Sequence, residues 1–138
     1  MRYYLDTNIL IFVLSNDKDE LSVQTLGILE DYSNTFYLNT IVLRELILLY
    51  KERKLEHLKY KTYKDLFTAI DELNYEIKPV TKKHLVSYAE LIPIDDHKDP
   101  NDHMIIAQSI SDKIPIISSD RKFKLYEKQE LDFVFNKR

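Results

Sequence analysis

Near its start the chain reads Tyr3-Tyr4-Leu5-Asp6-Thr7-Asn8-Ile9-Leu10-Ile11-Phe12-Val13-Leu14. Tyr3 to Leu5 predicts a short strand, the polar Asp6-Thr7-Asn8 triplet a turn, and Ile9 to Leu14 a helical run. A strand passing directly into a helix is the opening unit of an alternating α/β chain. The alternation then continues. A helix is expected over Leu21–Tyr32 and a strand at Phe36-Tyr37-Leu38. Thr40 is expected to cap a strongly apolar helix reaching about Lys54, with Leu43, Leu46, Ile47 and Tyr50 on one face. A helix over Tyr63–Leu73 leads to a strand over Tyr75–Val80. Thr81 caps a helix over Lys82–Leu91, which Pro93 stops. Asp99-Pro100 opens the next helix, with a carboxylate at the N-cap and proline in the first helical position. Pro115–Ser118 is a compact apolar strand, and Asp132–Phe135 reads as the last one. This order predicts one α/β domain spanning residues 1–138, with a mainly parallel sheet covered on both faces.

Composition narrows the function. The 138 residues are 44% hydrophobic and 31% charged, the balance of a folded globular protein. The longest apolar runs, Ile9–Leu14 and Leu46–Tyr50, are too short to cross a bilayer. Asp6 interrupts the region where an export signal would need apolar residues, so a cytoplasmic protein without a membrane partner is expected. The lack of cysteine excludes disulfides, thiolate zinc sites and thiol nucleophiles. With Gly27 the single glycine, neither a P-loop nor a GxGxxG turn can be built. A net charge of −3, from 20 Lys plus Arg against 23 Asp plus Glu, argues against coating nucleic acid by bulk attraction. It leaves room for an enzyme that handles RNA locally, since acidic metal ligands push the total negative.

The chemistry-bearing residues are acids. Asp6 and Asp120 each follow a predicted strand, and in open α/β sheets the ligand crevice lies beyond the carboxyl ends of strands. Each acid alone also has an ordinary reading as a turn residue. Glu45 has Ile41, Val42, Leu48 and Leu49 as its helical neighbours, so no local cation is available to it. A carboxylate on so apolar a face needs a partner, which a metal ion or a distant Lys or Arg would supply. Asp99 and Asp102 fall at the N-cap and third position of one helix, where the dipole and free amides favour acids without any catalytic role. Together Asp6, Glu45, Asp102 and Asp120, with Asp99 as a possible fifth member, form an all-oxygen set that suits Mg²⁺ or Mn²⁺. Clustered carboxylates raise one another's pKa unless a cation intervenes. Such a cation also binds phosphate oxygens and activates water, which makes this a phosphodiester-cleaving constellation.

At these residues the chain resembles the PIN-domain family, in particular its VapC-type toxins. Tyr4-Leu5-Asp6-Thr7-Asn8 is similar to the family's strand-then-DTN start, and Thr40 through Glu45 to its second motif. His97-Lys98-Asp99-Pro100-Asn101-Asp102 resembles the third motif, and Ile116-Ile117-Ser118-Ser119-Asp120, ahead of Phe123, the fourth. The four motifs fall in order between residues 4 and 123. The resemblance implies a three-layer α/β/α fold and a Mg²⁺- or Mn²⁺-dependent endoribonuclease, the toxin of a toxin–antitoxin pair. It carries over Asp6, Glu45, Asp102 and Asp120 as catalytic metal ligands, with Asp99 beside them. Thr7, Asn8 and Ser118 would orient these acids by hydrogen bonds. His103 stands where the family often has arginine, and Asn101 where it usually has an apolar or aromatic residue. Such toxins typically form homodimers and receive an antitoxin segment, here expected against the Leu21–Tyr32 and Thr40–Lys54 helices.

The remaining features carry less. His57, His84, His97 and His103 lack metal-ligand spacing and read as surface or helix-end residues. Lys51, Arg53, Lys54, Lys59, Lys61 and Lys64 form a basic region that reads first as a solvated face and second as a contact for RNA phosphates. Ile41 and Leu48 lie off the main apolar stripe of their helix and ask for cover from neighbouring helices or from a second chain. Two other readings remain open: a PIN-like nuclease of RNA processing, and a catalytically silent binding module of the same fold.

Overall fold

The computed structural model describes residues 1–138. In chain order it contains β1 (Arg2–Leu5), α1 (Thr7–Leu14), α2 (Val23–Glu30), β2 (Thr35–Asn39), α3 (Thr40–Lys51), α4 (Tyr63–Glu72), β3 (Glu76–Lys78), α5 (Lys82–Glu90), α6 (Pro100–Asp112), β4 (Ile116–Ser118), a 3₁₀ segment over Arg121–Gln129, and β5 (Phe133–Phe135). The five strands form one sheet in the order β3-β2-β1-β4-β5, and every pairing is parallel. Parallel neighbours need crossover connections, and the helices supply them. Tyr3, Tyr4 and Leu5 of β1, Phe36 to Asn39 of β2 and all of β4 are buried, so the central strands are covered on both faces. Helices therefore lie on both sides of the sheet, giving the three-layer α/β arrangement. The outer strands β3 and β5 are only partly covered. One hydrophobic cluster of 23 buried residues runs through β1, β2, β4, α3 and α6. No helix is long and apolar enough to cross a membrane.

Several boundaries differ from those expected, each for a local reason. α1 starts at Thr7, because Asp6 accepts the Thr7 amide and caps it; Thr7 and Asn8 belong to the first helical turn rather than to a loop. α2 is shorter than Leu21–Tyr32, since the Ser22 hydroxyl accepts the Thr25 amide and fixes the start there. The cap of α3 is Asn39, not Thr40: its Oδ1 accepts the amides of Ile41 and Val42 at 2.6 and 3.2 Å. Asn outranks Thr as a cap, and Thr40 Oγ1 is left to accept the Val80 amide at 3.4 Å. α3 ends at Lys51, and Arg53 turns the chain with φ of 60° so that Leu55 folds back into the core. Thr81 does open α5, where His84 Nδ1 accepts its amide at 3.0 Å. Of the two off-stripe residues on α3, Ile41 packs against this chain's own core, while Leu48 remains 54% exposed.

Candidate active site

Strand order reverses direction at β1, which has β2 on one side and β4 on the other, and a crevice opens beyond the carboxyl ends at such a point. Asp6 follows β1 directly and is buried. Its Oδ1 accepts the Thr7 amide at 2.8 Å and its Oδ2 the Ser118 hydroxyl at 2.6 Å. Ser118, fully buried at the end of β4, also accepts the Asp120 amide at 3.0 Å. Asp120 in turn accepts the Lys122 amide at 2.9 Å and caps the 3₁₀ segment. From α3, half-buried Glu45 reaches this edge and accepts the Thr7 hydroxyl at 3.0 Å. Asp102 lies in the first turn of α6, as expected, and accepts from His97 Nε2 at 3.0 Å.

Burial and mutual repulsion load these carboxylates. Burial pushes Asp6 well above the ordinary carboxylate range, more than its bonds from Ser118 and Thr7 bring it down, and Asp120 and Asp99 add repulsion. Glu45 is pushed up to about 7, mainly by burial and further by Asp6, Asp102 and Asp99, against the Thr7 hydrogen bond. Asp102 also rises to about 7 through burial and the charges of Asp6, Asp99 and Asp120, with Lys122 alone pulling it back. The four acids, drawn from four separate elements, thus share one field. Asp99 stands at the rim: it is exposed, caps α6 by accepting the Asn101 amide at 2.9 Å, and contributes charge to the others. Asn8 departs from expectation. It is exposed and hydrogen-bonds none of the acids, because α1 begins at Thr7, two residues before the expected Ile9, and turns its side chain outward.

The donor set fits a hard divalent cation. Ligand atoms of His97, Asp102 and Asp120 lie within 4.8 Å of one another. Carboxylate-rich sites of this kind take Mg²⁺ or Mn²⁺. His97 is better placed to orient than to ligate, since both ring nitrogens are engaged. Tyr126 Oη accepts the Ile94 amide at 3.2 Å, which leaves its own proton for His97 Nδ1 at 2.8 Å. The Nε2 proton is then directed at Asp102. A histidine that bonds a ligating carboxylate fixes its direction. His103 Nε2 donates to the His97 carbonyl at 2.8 Å and steadies the same loop. Surface roles fail for His84, His97 and His103, all of which are buried and bonded. The sequence signal for His97 was its place five residues before Asp102; only the fold reveals the bond.

A buried polar network sets α3 against α6. The Nδ2 of the α3 cap Asn39 donates to Gln108 Oε1 at 3.0 Å, and Gln108 Nε2 donates to Tyr4 Oη and to the Lys78 carbonyl, each at 3.0 Å. Tyr4 donates to Asp112, which also accepts from His84 Nε2 at 2.9 Å. Every polar atom of Asn39 and Gln108 is thereby used, as a buried network requires. Because Asn39 starts the helix of Glu45 and Gln108 lies on the helix of Asp102, this contact fixes the two acids relative to each other.

An all-parallel sheet with acids from four elements gathered at its switch point defines an α/β protein with a carboxylate cluster at the carboxyl edge of its sheet. The chain belongs to the PIN-domain family, whose model matches residues 3–129. No curated protein matches it in sequence. Among solved structures it is similar to VapBC2 from Rickettsia felis bound to a promoter DNA fragment, at 21% identity over 99% of both chains and a TM-score of 0.65. It is also similar to VapBC-1 from nontypeable Haemophilus influenzae, at 20% identity over 98% of both chains and a TM-score of 0.66. DNA-bound VapBC from Salmonella typhimurium aligns at 20% identity over 90% of this chain and 91% of that one, with a TM-score of 0.60. At these identities the likeness is one of fold.

Proposed function

We propose that this chain is a Mg²⁺- or Mn²⁺-dependent endoribonuclease and the toxin of a toxin–antitoxin pair. The observation that carries the reading is the convergence of Asp6, Glu45, Asp102 and Asp120 on one edge, where three of them are held above the ordinary carboxylate range. PIN domains are generally nucleases, so a hydrolase acting on nucleic acid is the coarse form of the reading. A divalent ion held by these acids would neutralise them, bind a phosphate oxygen and lower the pKa of the attacking water. The protein's own part is to hold the acids still. Ser118 and the Thr7 amide fix both oxygens of Asp6, the Thr7 hydroxyl fixes Glu45, and His97 fixes Asp102. Orientation of this kind is what turns bound metal into catalysis.

The toxin assignment draws on the four motifs and on neighbours solved as VapBC complexes. An apolar groove of about 170 Å³ between α1 and α2, lined by Phe12, Val13, Leu26 and Leu29, offers an antitoxin segment a seat on the α2 side. Exposed Leu48 on α3 is a further apolar side chain available to such a segment or to a second copy in a homodimer. The test is cleavage of RNA by the purified chain with Mg²⁺ or Mn²⁺. Asp6→Asn and Asp102→Asn should abolish it without unfolding the protein, and EDTA should stop the wild type. Cleavage undiminished in EDTA overturns the metal reading. Expression of the wild type alone should arrest growth, and Glu45→Gln should relieve the arrest; harmless expression of a folded, active protein overturns the toxin reading.

A further inference from the structure

The 3₁₀ segment that begins beside Asp120 repeats every three residues, so Arg121, Lys124 and Glu127 line up on one ridge. β5 repeats every two, so Phe133 and Phe135 share the opposite wall, and Lys137 just beyond the strand lines it with them. These six residues enclose an open groove of about 550 Å³, within the ~300–1,000 Å³ of ordinary ligand clefts. Three of its side chains are cations and one is an acid, in a chain whose net charge is −3. Arg121, Lys124 and Lys137 are all exposed and none enters an ion pair; the basic ion-pair partners lie elsewhere, at Lys18, Lys54, His84, His97 and Arg138. The Arg121 guanidinium lies over the Phe135 ring, 5.7 Å from its centroid, which holds a planar cation at the acidic end of the groove.

Register ties this groove to the acids. Phe135 pairs with Ser118, and residues in register on parallel strands face the same side. Ser118 is the residue whose hydroxyl holds Asp6. The two aromatic rings therefore run away from the acid cluster along the neighbouring strand, with unpaired cations facing them. Half-buried aromatic faces beside free Lys and Arg are the combination that binds single-stranded nucleic acid, with bases stacked and phosphates paired.

We propose that the groove between the 3₁₀ segment and β5 is a subsite for single-stranded RNA. There Phe135, with Phe133 behind it, stacks a base flanking the scissile bond, and Arg121, Lys124 and Lys137 hold the adjoining phosphates. The assignment rests on the nuclease reading for its substrate but not for its binding chemistry. It also places the RNA-contacting cations here rather than in the Lys51–Lys64 region, whose Lys51, Arg53 and Lys61 line a separate pocket.

Anisotropy of a fluorescein-labelled single-stranded RNA oligonucleotide on the full chain in EDTA, where it stays uncut, provides the test. Lys124→Glu and Phe135→Leu should each weaken binding by about tenfold. Lys124→Ala should reduce the slope of log affinity against log salt by about 0.7, the loss of one phosphate contact. Lys61→Glu, in the remote basic region, should bind as the wild type does. In Mg²⁺ or Mn²⁺ the groove variants should show a raised KM and an unchanged kcat. Unaltered RNA affinity in Lys124→Glu, whose exposed side chain leaves folding intact, overturns the proposal. So does a loss confined to retention of a co-purifying protein, which would make the groove a protein site. Groove-dependent RNA binding by a wild type that cleaves nothing upholds the subsite and overturns the nuclease reading instead.

Discussion

Replacing Glu45 by glutamine should stabilise the protein when no divalent metal is present. The substitution keeps the oxygen that accepts the Thr7 hydroxyl and removes a charge that the site holds at a cost. The Glu45 carboxyl lies at about 7 against an ordinary value of 4.5, because of burial and the charges of Asp6, Asp102 and Asp99. At 1.36 kcal/mol per pH unit that difference has a ceiling of about 3 kcal/mol. Glu45 is only half-buried, so solvent screening brings the figure to about 1–2 kcal/mol. Below pH ~4.5 the carboxyl is protonated in both the folded and the unfolded chain, and no penalty exists. Between pH ~4.5 and ~7 the unfolded chain is ionised while the folded chain keeps its proton, so stability falls as pH rises. Above that window the full penalty persists. In EDTA at pH 8, Glu45→Gln should therefore melt about 3–7 °C higher than the wild type. At pH 4.5 the two should nearly coincide. Saturating Mg²⁺ or Mn²⁺ should raise the wild type more than the variant, because the cation removes the repulsion that the glutamine has already removed. Circular dichroism melts at three pH values, with and without metal, measure all of this. A Glu45→Gln protein that is less stable than the wild type at pH 8 in EDTA, or a difference that ignores pH, refutes the electrostatic account of the site.

His97→Phe keeps a ring in the buried loop but removes the donor to Asp102, and should lower metal affinity or RNA cleavage by about 10- to 100-fold; isothermal titration with Mn²⁺ separates the binding loss from the kinetic one. Asn39→Ala removes the α3 cap and leaves Gln108 Oε1 unpaired, costing about 2–4 kcal/mol from a lost cap and an unsatisfied buried acceptor. Urea denaturation checks that loss, and a double variant with Gln108→Leu should cost less than the sum of the two singles. Lys113 closes α6 with φ of 55°, so Lys113→Gly should raise stability by about 0.5–1 kcal/mol, the relief of a left-handed side chain less the entropy of glycine; an unchanged or lowered melting temperature overturns that expectation.

The alternation of strands and helices was legible because apolar period and punctuation agree: Pro93, Asp99-Pro100 and Thr81 all stand where the elements turn over. The acids were legible as a set because each follows a strand or starts a helix, and chain order alone sends those positions to one edge of a parallel sheet. What escaped depends on contacts between distant segments. His97 and Asp102 are five residues apart, but the second half of the arrangement, Tyr126, comes from the 3₁₀ segment. Asn39 and Gln108 sit 69 residues apart and declare nothing locally. Asn39 and Thr40 are both good caps, and the sequence offers no means to choose until the strand's end is known. Asn8 escaped for a related reason: α1 starts two residues before the expected Ile9, which puts Asn8 in its first turn with its side chain away from the acids. The groove on β5 went unseen because a nine-residue 3₁₀ segment has a period of three, which neither a helical nor a strand template detects.

The choice of partners for the acids leaves their charge unneutralised. Asp6, Glu45 and Asp102 are held by the Ser118 and Thr7 hydroxyls, a backbone amide and a histidine ring, none of which carries a fixed charge. The chain has 20 Lys plus Arg to spend, yet none of them forms an ion pair with these carboxylates. Lys122 alone offsets part of the charge on Asp102. Neutral donors fix the direction of a carboxylate without satisfying its charge. An arginine in the same place would fix and neutralise it together, holding its pKa down. Where the family resemblance leads one to expect arginine after the third motif, this chain carries His103, which is buried and bonded to the His97 carbonyl. That substitution leaves orientation intact and repulsion unrelieved. The energetic cost of the unrelieved repulsion, read out by the Glu45→Gln melts, is thus the counterpart of the divalent-ion affinity proposed for this site. A variant that introduced a fixed cation among the acids should gain stability and lose metal binding together.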